Sequence, residues 1–140
     1  MTNTAESAPI TKAFEAHEID NSAFHHAEHV RVAFDLLRKY DFIDAASVYA
    51  KGIQTLAARA GAPKKFNLTV TYAFMSLIAE RLAASQSSEY DSFVASNPDL
   101  MKKDVLKNWY STERIDADLA RSIFLMPDTG NQLRNAGSRS

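Results

Sequence analysis

Apolar and polar positions along the chain separate at about 100° per residue into three strong helical patterns. The first covers residues 22–40, where His26, His29, Val30, Ala33, Leu36, Leu37 and Tyr40 share one broad face. Glu28, Arg31, Asp35, Arg38 and Lys39 take the other face, at spacings that suit surface ion pairs. His25 and Val32 lie on the border, and Asn21 or Ser22 is suited to cap the start. The second pattern, 42–60, has an inner stripe of Phe42, Ala46, Tyr49, Ala50, Ile53, Leu56, Ala57 and Ala60. So many small residues imply close approach by a neighbouring helix, and Gly61 with Pro63 ends the element. The third, 67–84, carries Asn67, Thr71, Phe74, Ile78 and Leu82 on its central stripe, with Met75 and Leu77 flanking. Thr69, Ser76, Glu80 and Ala83 face away.

Weaker patterns add a short helix over 11–18 anchored by Phe14, and C-terminal helices over 89–95, 98–109 and 112–124. Ser111-Thr112-Glu113-Arg114 and Asp116-Ala117-Asp118-Leu119 read as capping sequences. The prediction is an all-α single domain over 10–126, a bundle of three main antiparallel helices plus short C-terminal ones. Residues 1–9 and 127–140 read as flexible tails, poor in apolar anchors.

Composition narrows the function classes. The 140 residues suffice to bury a core without staples, and no cysteine is present to form a disulfide, a thiolate nucleophile or a zinc–thiolate site. A net charge of −1 gives no basic face for nucleic acid. No segment approaches the length of a membrane span, and the N-terminal stretch lacks the form of a secretory signal. A cytoplasmic location is the expectation.

Short connections place the first and third helices parallel, with their N-termini at one end of the bundle. His26 and His29 then meet Asn67 and Thr71 there, all four pointing inward. Buried polar groups need partners, so such a cluster is paired internally, hydrated or used. One use is a divalent metal held by His26 and His29, three apart, with His25 as a substitute ligand in the His25/His29 pair, four apart. The third ligand is the weak point of that reading: Asn67 is a neutral oxygen donor, Glu28 faces outward and His17 sits on a weakly patterned segment. A metal-free use makes His26 and His29 catalytic acid–base groups, while Asn67, Thr71 and helix N-terminal amides fix a small polar or anionic molecule. The plainest use is structural, with both imidazoles satisfied inside the core. In that case the chain is a helical interaction module, dimerising through an apolar face left by the C-terminal helices.

Other features carry less. Phe93, Trp109 and Tyr110 suit core closure, and Arg121 suits an ion pair with Asp118 or Asp128. Lys64-Lys65 reads as a solvated loop, which would favour anions if it borders the pocket.

Several stretches together resemble a family of small bacterial and fungal helical proteins of uncharacterised function. They are Phe24 to Ala33, Lys65-Phe66-Asn67-Leu68-Thr69-Val70-Thr71, Tyr110-Ser111, and Ala120-Arg121-Ser122-Ile123-Phe124 ahead of Pro127-Asp128. The family pattern is an F-x-H-x-x-H opening, a K-[FY]-H-x-T-x-T segment and a YS…AR…F…PD ending, covering about residues 22–128. The resemblance implies three converging histidines, two of them His26 and His29, and suggests a metal site. The third falls on Asn67, which puts that metal in question here. No reaction follows from the resemblance.

Overall fold

The computed structural model describes residues 7–85 and 88–129, which hold seven α-helices and no strand. Helix α1 (Pro9–Glu15) opens with proline at its first turn, where a missing N–H costs nothing. Helices α2 (His26–Lys39), α3 (Phe42–Arg59) and α4 (Leu68–Ala84) are the three main rods. Asp41 caps α3 by accepting from the Asp44 N–H at 2.9 Å, and Gly61 follows its end at φ +73°, a left-handed turn that spares a side chain the strain. No helix among the described residues is long and apolar enough to cross a membrane.

Close approach on α3 occurs at Gly52. A Cβ built there would lie 2.2 Å from the Phe14 ring, so α1 lies against α3 through a ring seated on a bare backbone. Phe14 is 2% exposed and stacks on both Phe24 and Tyr49, with ring centroids 5.6 and 5.8 Å away.

Three expectations of sidedness are corrected, two of them by a segment that covers the helix. Asp35, assigned to the outer face of α2, is buried because α1 lies over it. Its carboxylate accepts from the Thr11 hydroxyl at 2.7 Å, the Ala8 N–H at 2.9 Å and Arg31 Nε at 3.1 Å. Thr69, assigned to the outer face of α4, is fully buried under the C-terminal segment. Its hydroxyl donates to the Ile123 carbonyl at 2.7 Å and accepts the Leu125 N–H at 3.0 Å. Phe42, expected on the inner stripe of α3, is exposed.

The C-terminal third is more broken than its periodicity suggested. After α5 (Tyr90–Ser96), the expected helix over 98–109 is two 3-10 turns, Pro98–Met101 and Val105–Asn108. The expected helix over 112–124 is α6 (Thr112–Ile115) and α7 (Asp118–Ser122), separated where Ala117 turns extended. Ser111 caps α6, and the second capping sequence marks a restart rather than continuation. Phe93 and Tyr110 close the core as expected, Trp109 packs partly buried against it, and Arg121 lies 3.9 Å from Asp118.

Residues 128 and 129, expected as part of a flexible tail, are held to the fold. Asp128 accepts from both the Ser111 N–H and hydroxyl at 2.7 Å, while the Asp128 and Thr129 amides donate to the Trp109 carbonyl. Tyr110 donates to the Leu125 carbonyl at 2.8 Å. Tyr110, Ser111, Thr69 and Asp128, all within the stretches that carry the family resemblance, are thereby tied into one C-terminal strap. The rest of both expected tails, 1–6 and 130–140, lies outside the described residues.

Candidate functional site

The N-termini of α2 and α4 open at the same end of the bundle, and a cavity of about 660 Å³ lies there. His26, His29, Asn67 and Thr71 all line it, together with His25. The local chain path differs from the expected one. Asp20 takes Ser22 into a 3-10 turn over Asn21–Ala23, Phe24 and His25 run extended, and α2 starts only at His26. His25 is therefore an exposed N-cap residue, its backbone N–H donating to Glu28 Oε1 at 2.8 Å.

Each half-buried imidazole has one nitrogen committed. His26 Nε2 lies 2.8 Å from the Leu100 carbonyl, which can only accept, so Nε2 carries the hydrogen and neutral His26 keeps its lone pair on Nδ1. His29 Nδ1 lies 3.0 Å from the Tyr49 hydroxyl. Tyr49 is buried, and that burial pushes its phenol well above the ordinary range, so it retains a proton and needs an acceptor. The phenol donates to Nδ1, and the hydrogen of His29 sits on Nε2. Burial brings His29 down to about 4, with the neighbouring His26 adding to the effect and Glu28 opposing it, so His29 is neutral near pH 7. The pair thus offers one acceptor nitrogen and one N–H donor. Their ring centroids are 6.5 Å apart.

Two phenylalanines frame this pair. Phe24 precedes the N-cap of α2 and packs on His29, four positions into the helix, at 4.4 Å between centroids. Phe66 precedes the N-cap of α4 in the same way and lines the cavity. This is the hydrophobic-staple position, a signal readable in sequence once the caps are placed at His25 and Asn67. Phe74 lies 5.6 Å from His26, and Ile53, Val70, Val105 and Leu106 complete the apolar wall. Lys65 and Lys103, both exposed, stand at the mouth.

Asn67 and Thr71 serve the fold before any ligand. Asn67 Oδ1 accepts the Val70 N–H at 2.9 Å, capping α4, and its Nδ2 donates to the Ile115 carbonyl at 2.8 Å. The Thr71 hydroxyl donates to the Asn67 carbonyl at 2.8 Å, leaving its oxygen as an acceptor.

The donor set does not fit a metal ion. No three His, Asp or Glu side chains among the described residues are grouped as ligands. His26 has one nitrogen committed to Leu100 and only Nδ1 left, His25 is the exposed N-cap of α2, and Asn67 is occupied at both ends of its amide. Glu28 accepts from a backbone amide, and His17 is exposed in the left-handed turn after α1. The expectation of a metal on His26 and His29, with His25 in reserve, is not supported by these donors.

Comparison of the chain with protein-family models, curated proteins and solved structures found no match.

Proposed function

We propose that this protein binds a small molecule in the cavity between α2, α3 and α4, and works on it through a complementary imidazole pair. His26 is the acceptor and general base through Nδ1; His29 is a neutral hydrogen-bond donor through Nε2. The observation supporting this reading is that the two rings in one cavity commit different nitrogens to partners on other elements, His26 Nε2 to the Leu100 carbonyl and His29 Nδ1 to the Tyr49 hydroxyl. A cavity near 660 Å³ is within the range of small-molecule sites, and its mainly apolar wall with few convergent polar groups is their usual make-up. Thr71 and the cap at Asn67 then shape the floor and rim, with Thr71 the more available to accept a hydrogen bond.

The test is a fragment screen read on the imidazole nitrogen and carbon resonances of His26 and His29. Fragments that occupy the site should move both histidines together, and a Val70→Trp variant that fills the cavity should abolish those shifts. A folded protein in which no fragment moves either ring, or in which the filled variant responds unchanged, would rule the reading out.

A second reading, an interaction module, has its own support. Leu119, Ile123, Phe124 and Met126 on and after α7 are all exposed, at 56, 46, 44 and 67%. An apolar run of this kind suits self-association. Sedimentation of the wild-type chain should then show a concentration-dependent dimer that Ile123→Asp together with Met126→Asp converts to monomer. A monomer across the accessible concentration range would leave the cavity as the only candidate.

A further inference from the structure

The charge at the cavity mouth has one sign. Among the described residues that line the cavity there is no carboxylate, and its two permanently charged side chains are Lys65 and Lys103. They come from separate parts of the chain, Lys65 from the 3-10 turn Pro63–Lys65 before α4, and Lys103 from the link between the two C-terminal 3-10 turns. Neither is ion-paired to a described carboxylate. Exposure orders the site from outside to inside: the lysines are exposed, the imidazoles half-buried, and Tyr49, Thr71 and Phe74 buried.

The interior is aromatic as well as apolar. Phe24 packs on His29 and Phe74 on His26, both contacts tilted rather than parallel, and Phe66 lines the same cavity. Such walls favour a flat ring, which gains from offset or edge contacts beyond its buried area. A polyphosphate is disfavoured. Two lysines without an arginine fork or a glycine-rich cradle are a poor match for several phosphates, and the wall would strand them against hydrocarbon.

We propose that the ligand of this cavity is an aromatic carboxylate, its ring among Phe24, Phe66 and Phe74 and its carboxylate between Lys65 and Lys103. This rests on the reading of the cavity as a small-molecule site and adds the class and orientation of the occupant. A polar substituent on the far side of the ring would meet the N–H of His29 or the open nitrogen of His26. The class therefore includes ring-hydroxylated and keto-substituted carboxylates.

The experiment uses 3-phenylpropionate, 2-naphthoate and 4-hydroxybenzoate, each beside its neutral primary amide, titrated into the full chain with the two histidines as reporters. Carboxylates should bind about fivefold or more tightly than their amides, a preference that shrinks as salt is raised, as expected for exposed charges. In a Lys65→Met, Lys103→Met variant the preference should vanish while amide binding persists, which also shows that the variant is folded. Amides that bind as well as carboxylates would overturn the ligand class and leave the cavity reading standing. Failure of every ring compound to move either histidine would overturn both. A carboxylate preference that survives in the double lysine variant would place the anion elsewhere and overturn the orientation.

Discussion

Replacing Phe14 by alanine is expected to lower the unfolding free energy by about 3–5 kcal/mol, the usual cost of deleting a buried phenyl ring. The residue is 2% exposed, it stacks on Phe24 and Tyr49, and its ring is the surface on which α1 meets Gly52 of α3. The reverse change should also be costly. Gly52→Val places carbon where the Phe14 ring already stands, and overpacking of this kind costs about 1–3 kcal/mol or more. Together the two should be less damaging than their sum, because valine fills part of the volume the ring vacates. Urea denaturation of the two single variants and the double variant gives the coupling directly. Additive losses would mean that the ring and the glycine do not share a contact.

Acid should destabilise the fold through His29. In the unfolded chain this imidazole takes a proton near 6.5, whereas in the folded chain it resists protonation until about 4. Between those limits the unfolded state binds a proton that the native state does not, so stability rises with pH from about 4 to about 6.5 and is flat in this respect above. The group's share of the loss on acidification is about 3 kcal/mol. A His29→Leu, Tyr49→Phe variant removes the imidazole and the phenol together, leaving no buried hydroxyl without its acceptor. Its unfolding free energy, measured by urea between pH 4 and 7.5, should fall less on acidification than the wild type by that amount. Parallel curves would show that His29 protonates freely in the folded protein.

The three main helices, the topology that brings α2 and α4 to a common end and the inward pair His26 and His29 were legible because helical phase is a local property. Helical phase is silent about a second covering layer. Asp35 and Thr69 do lie away from the main stripes, yet α1 covers one and residues 123–125 cover the other. Their burial is polar and long-range, and no hydropathy pattern records it. The strap at Asp128 carries no hydropathy signal for the same reason, since backbone amides and a serine anchor it rather than apolar side chains. At the site, helical phase placed His25 on the border of a continuous helix, as a substitute ligand beside the inward pair. The extended Phe24–His25 pair breaks that helix, makes His25 the exposed N-cap of α2 and brings Phe24 onto His29. Lys103 had no local signal at all; only the folded path of the C-terminal third brings it to the same mouth as Lys65.

The C-terminal strap also has a consequence for synthesis. Thr69 is matched to residues 123 and 125, at separations of 54 and 56 along the chain, and Ser111 waits for Asp128. While a ribosome is extending the chain, α1 to α4 can emerge and begin to associate, but α4 keeps an uncovered flank at Thr69 until those residues clear the exit tunnel. Contacts of such long range are slow to form, and a partly covered intermediate is exposed to aggregation in the interval. The last native contacts on α4 are therefore made only after α1 to α4 have emerged. The nascent protein must pass through a stage in which the Thr69 flank of α4, fully buried in the finished fold, is bare.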